Sequence, residues 1–102
     1  MPTFRLTKRA KQDLKEIGRY TQEVWGREQR NKYLAELDST FHDLAKTPQK
    51  GRGCEEIRTG YRKYQVNRHV IYYRQTTADI EIIRILHDRM DAEAHLSLDE
   101  EE

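Results

Sequence analysis

The chain has 102 residues, 35% apolar and 36% charged, with 19 Lys and Arg against 18 Asp and Glu for a net charge of +1. That length holds one domain with one core, and so small a domain is marginal unless its apolar residues cluster by period. A single cysteine, Cys54, excludes an internal disulfide and fits a reducing compartment; with no apolar run near the roughly 18 residues of a membrane span and no secretory core in MPTFRLTKRAK, a cytoplasmic protein is expected.

Phe4 to Thr7 alternates and predicts a short first strand, with Thr7 placed to cap the helix that follows. In that helix Ala10, Leu14, Ile17 and Val24 lie near one stripe, with Tyr20 or Thr21 between. Gly18 weakens it by about 1 kcal/mol, and Gly26 is a natural stop. A second helix is expected from Arg27 to Lys46 on the stripe Leu34, Leu37, Phe41 and Leu44. Thr47-Pro48 ends it, because a residue before proline avoids helical backbone. Two helices about one glycine make a helical hairpin.

Pro48 to Cys54 holds Pro48, Gly51 and Gly53 and reads as a loop. The period then changes to two. Tyr61–Asn67, His69–Gln75 and Ile80–Ile85 are rich in Tyr, Val and Ile and predict three strands of an antiparallel meander. One terminal helical turn is expected over Met90–His95. The division is one domain over residues 1–96 and an acidic, flexible tail over 97–102. The fold class is α+β: an N-terminal strand, a helical hairpin on one face of the sheet, then the meander.

Charge is unevenly spread. Residues 97–102 carry four acids and no base, while Lys46, Lys50, Arg52, Arg58, Arg62, Lys63, Arg68 and Arg74 are opposed only by Glu55 and Glu56. Such a field suits an acidic partner or nucleic acid, and equally an ordinary solvated surface.

The inventory of reactive groups narrows the chemistry. Ser39 and Ser97 lie in a helix and in the tail, which disfavours a serine nucleophile. Cys54 has no Cys-x-x-Cys partner, and His42, His69, His87 and His95 are too far apart for a local zinc motif. There is no phosphate-cradling glycine loop, so no cofactor or metal is expected. Arg62, Tyr64, His69, Arg74, Arg84 and His87 are left on strands, where metal-free RNA cleavage would place an acid, a base and a phosphate clamp. Which of them converge depends on strand register. Trp25, Tyr20, Tyr33 and Phe41 on the hairpin are read first as packing residues, with Tyr20 and Trp25 near its tip as alternative anchors for a partner.

Five segments together resemble the ParE branch of the RelE/ParE toxin superfamily: DLKEIGRYTQEVWG ending at Gly26, EQRNKYLAEL over Glu28–Leu37, LAKTPQKG over Leu44–Gly51, EIRTGYRKYQVNRHVIYY over Glu56–Tyr73, and IIRILHDRMD over Ile82–Asp91. The resemblance implies a twisted antiparallel sheet with a helical hairpin on one side. It implies a toxin encoded beside a ParD-like antitoxin, whose disordered part wraps the toxin. The target would be DNA gyrase, trapped on cleaved DNA, with DNA met only indirectly, through gyrase or through an antitoxin-bound operator. No catalysis is then required. RNA-cutting relatives open the strand that here begins at His69 with an arginine, and some end in a histidine–tyrosine pair where this chain has His87-Asp88. The remaining readings are a ribosome-dependent mRNA endonuclease of the RelE type and a non-toxic binding module. Gyrase contact is expected at Arg58, Arg62, Arg84, His87, Arg89 and Met90, and antitoxin contact at Leu14, Tyr20, Trp25 and Tyr33.

Overall fold

A computed structural model describes residues 3–99. In chain order the elements are β1 (Phe4–Leu6), α1 (Lys8–Trp25), α2 (Arg27–Lys46), a 3-10 turn at Pro48–Lys50, β2 (Arg52–Gly53), β3 (Tyr61–Val66), β4 (His69–Gln75), β5 (Ile80–His87) and α3 (Ala92–Asp99). They form one five-stranded sheet in the order β1-β5-β4-β3-β2. The expected meander is its centre. Two strands join it at the edges: β1 pairs parallel to β5, and β2, inside the segment read as a loop, pairs antiparallel to β3.

Local chemistry explains the boundaries. Thr7 caps α1: its hydroxyl accepts from the Ala10 amide at 3.0 Å and donates to the Ile83 carbonyl at 2.8 Å, so one side chain starts the helix and ties it to β5. Gly26 separates the two helices at φ 96°, a left-handed backbone that a Cβ disfavours. Asn67, at φ 53°, makes the tight turn from β3 to β4.

The main core lies between the hairpin and one sheet face. Ala10 and Ile17 from α1 and Leu37, Phe41 and Leu44 from α2 pack on Val66, Ile71, Tyr73, Ile80, Ile82 and Ile85. A smaller cluster on the opposite face joins Cys54, Tyr72, Ile83, Leu86 and Leu96. Leu96 belongs to α3, so the C-terminal helix covers that second face. It is longer than the single turn expected over 90–95 and takes in residues 97–99. The rest of the acidic tail lies outside the described residues.

The strand pattern breaks once, in β5. Tyr72 faces Arg84 and Tyr73 faces Ile82, which leaves Ile83 as the extra residue of a bulge. Beyond the bulge, Arg84 and Ile85 both reach the helix side, while Ile83 and Leu86 fill the second face.

The hairpin tip departs from expectation. Past Thr21 nothing in α1 is buried, and residues 22–29 are all exposed. Val24 and Trp25, read as stripe and packing residues, are 50% and 71% exposed, because this last turn projects beyond the sheet. Among the described residues no helix is long and apolar enough to cross a membrane.

Candidate functional site

Buried polar groups fix the frame on which exposed ones are presented. Asp13 on α1 receives the Arg84 guanidinium through Nε at 2.8 Å and Nη2 at 2.9 Å, and also accepts the Ile85 amide at 2.9 Å. Both side chains are nearly inaccessible. This forked pair holds the bulge of β5 against α1. Arg84, expected at the target-binding surface, is thereby corrected to an interior residue. Asp13 was missed by residue-type reasoning. Its signal is an acid on the apolar stripe, three residues after Ala10 and four before Ile17.

At the other end of α2, Tyr73 locks the loop before β2. Its hydroxyl donates to the Pro48 carbonyl at 2.7 Å and accepts from the Gly51 amide at 2.9 Å. A Cβ on Gly51 would overlap that oxygen, so glycine is required for the close approach. Arg62 donates to the Gly51 carbonyl at 2.6 Å, which holds it beside this loop.

Tyr33, His69 and His87 meet where β4 begins and β5 ends. The Tyr33 hydroxyl donates to the Val66 carbonyl at 3.1 Å and lies 2.8 Å from His69 Nδ1. With its one proton given to Val66, the hydroxyl receives the Nδ1 proton of His69 and leaves Nε2 with the lone pair. The His69 and His87 rings are edge to face at 5.6 Å. Burial, then the charge of His87, pushes the His69 pKa down; Asp88 and Asp13 oppose this. Burial, then Glu36, pushes the Tyr33 phenol up to about 12. At neutral pH both Tyr33 and His69 are therefore held in their uncharged forms.

From His87 the chain turns outward. The Asp88 amide donates to the Arg68 carbonyl at 2.8 Å, the Arg89 amide to His87 Nδ1 at 3.1 Å, and the Met90 amide to the His87 carbonyl at 2.9 Å. The backbone is thus fixed while Arg89 and Met90 stay exposed. Arg58 sits half-buried in the turn after Cys54. Of the expected target contacts, the structure joins His87, Arg89 and Met90 and leaves Arg58 and Arg62 elsewhere. Arg62 pairs with Tyr73 and His87 with His69, positions four residues apart on β4 and so roughly 13 Å along the strand.

The hairpin carries a second feature, an open groove of about 480 Å³ between α1 and α2. Leu14, Gly18 and Leu34 line it, with three bases, Lys15, Arg19 and Arg30, and one acid, Glu23. Gly18 permits this approach: an added Cβ would stand 3.3 Å from Leu34 Cδ1. Tyr20 and Trp25 are exposed on α1, whereas Tyr33 is spent on the histidine cluster. Among the described residues no group of three or more His, Cys, Asp and Glu side chains is placed to hold a metal ion.

Comparison with known proteins agrees with this architecture. The family model described as "ParE toxin of type II toxin-antitoxin system, parDE" matches residues 4–92. The chain is 43% identical to Toxin ParE1 of Caulobacter vibrioides, over 94% of this chain and 99% of that protein. It is 39% identical to Toxin ParE1 of Mycobacterium tuberculosis, over 91% and 96% of the two chains. Among solved structures, a chain of the chromosomal ParDE system of P. aeruginosa superposes with a TM-score of 0.74 at 21% identity, covering 85% of this chain and 96% of that one. A chain of the RelBE2 toxin–antitoxin complex of M. tuberculosis gives 0.65 at 22% identity, covering 85% and 99%. The structures share the fold, the sequence relatives and the family match span nearly the whole domain, and the chain belongs to the ParE toxin family of type II toxin–antitoxin systems.

Proposed function

We propose that this chain is a toxin that inhibits DNA gyrase by trapping its cleaved-DNA complex, so that replication stops, and that a ParD-like antitoxin neutralises it. It works in the cytoplasm by binding one state of gyrase better than the others and catalyses nothing itself. The supporting observation is that the arginines RNA cleavage would gather as a phosphate clamp are held apart, although His69 and His87 meet. Arg84 is buried on Asp13, Arg74 is paired with Glu81 at 2.9 Å, and Arg62 is tied to Gly51. His69, where RNA-cutting relatives carry a phosphate-binding arginine, is kept neutral beside Tyr33. What is presented instead is the pinned turn from His87 to Met90, a shape for contact. The antitoxin lies along the hairpin groove on Leu14, with an acidic segment answering Lys15, Arg19 and Arg30, and reaches the exposed Tyr20 and Trp25 outside the groove as further anchors.

Induced expression in a bacterium tests this reading. Filamentous cells with a DNA-damage response, relieved by co-expressing the antitoxin, are expected. Rapid translation arrest with cut mRNA, or normal growth, overturns it.

A further inference from the structure

We propose that the β2–β3 edge of the sheet is a phosphate-binding surface that grips duplex DNA directly, on the gyrase-bound segment; the choice of DNA rests on the gyrase reading above. The local charge is concentrated. Residues 46–63 hold six Lys and Arg against two Glu, in a chain whose net charge is only +1. The sheet ends at β2, so this charge lines an outer edge.

Register sharpens the point. Arg52 stands directly across from Lys63 in the antiparallel pair. Like charges facing each other across strands repel and destabilise the pairing. Arg52 is exposed and Lys63 half-exposed, and among the described residues neither has an acidic partner. On the other sheet face, Lys50 lies over the Tyr64 ring at 5.4 Å, and Arg62, held by the Gly51 carbonyl, faces Tyr73. Glu55, which accepts the Gly60 amide at 2.8 Å, and Glu56 lie in the turn after β2 and act on Cys54 together with Lys63 and Arg62, so they offset this charge only in part, two acids against six bases. Cations therefore straddle both sides of an edge whose own geometry disfavours them. A row of phosphates relieves that repulsion, and Arg and Lys on a firm strand supply position without base reading. A single edge lysine is enough to ward off strand-to-strand aggregation; a cross-strand Arg–Lys pair goes beyond that need.

The test is fluorescence anisotropy of the purified full chain on a 30-base-pair duplex between 50 and 200 mM salt, beside the double variant R52Q/K63Q and the gyrase cleavage assay. Thermal melting confirms that the variant is folded. The expected result is a duplex affinity about tenfold weaker, with the salt slope reduced by roughly two. Trapping of cleaved DNA should then need more toxin, while capture of gyrase without DNA is unchanged. An unaltered salt slope overturns the proposal, as does a variant whose only change is aggregation. So does loss of binding to a polyglutamate probe with no duplex binding by the parent chain, which would make the edge a seat for an acidic protein. Normal duplex binding that depends on Arg52 and Lys63, in a chain that gyrase does not bind, would keep the phosphate edge and overturn its assignment to gyrase-bound DNA.

Discussion

Asp13 and Arg84 illustrate how much one buried pair decides. Removing one partner leaves the other charge buried and unpaired, which costs about 3–5 kcal/mol. In a domain of this size that is a melting-temperature drop on the order of 15 °C. Asp13→Ala is therefore expected to melt far below the parent chain, with loss of toxicity following loss of fold, as thermal denaturation would show. A change of only a few degrees would contradict the role given to the pair. His69 makes a pH prediction. Its folded pKa lies below its ordinary 6.5, so between the two values the unfolded chain binds more protons than the folded one. The stabilising contribution is complete above 6.5 and is lost as pH falls from there toward the folded pKa. His69→Phe should flatten the decline of melting temperature between pH 7 and 5; an unchanged slope would refute it. Neither role was legible beforehand. A lone acid on an apolar stripe reads as an imperfection of the pattern, and the partner that justifies it lies 71 residues away across the fold.

Elements punctuated by local chemistry were the legible ones. The limits of α2 follow from Gly26 and Thr47-Pro48, and β4 from its run of Tyr, Val and Ile between Asn67-Arg68 and Thr76. Elements defined by remote pairing were not. β2 has two residues, one of them glycine, and exists only because β3 lies beside it. The bulge in β5 arises where Asp13 and the sheet compete for the same stretch of chain. The hairpin tip misled for a related reason: a helical stripe shows which face is apolar, and not how far the sheet beneath it extends. That exposed tip carries its own prediction. Trp25→Ala should change folding stability by no more than about 0.5 kcal/mol. It should weaken antitoxin binding by about 2 kcal/mol or more, measured by calorimetry. Equal antitoxin affinity would remove the tip from the interface. In the turn after β5, Arg89→Ala with Met90→Ala should reduce toxicity several-fold and leave antitoxin affinity within twofold. Toxicity that survives unchanged would move the target contact away from this turn.

The whole molecule is a small sheet with its polar chemistry turned inward. Arg84 braces the bulge, Tyr73 closes a loop, and Tyr33 and His69 seal the start of β4. Its surface keeps a groove on the hairpin, a pinned turn after β5 and a basic edge at β2. A rigid body with three separate contact surfaces suits a protein that recognises one large partner and is masked by another. The direct measurement is gyrase-mediated cleavage of supercoiled plasmid with the purified chain. Cleaved, gyrase-linked DNA should accumulate with toxin concentration, supercoiling should fall, and the antitoxin should reverse both. Undisturbed supercoiling, together with cutting of messenger RNA on ribosomes by the same preparation, would contradict the account.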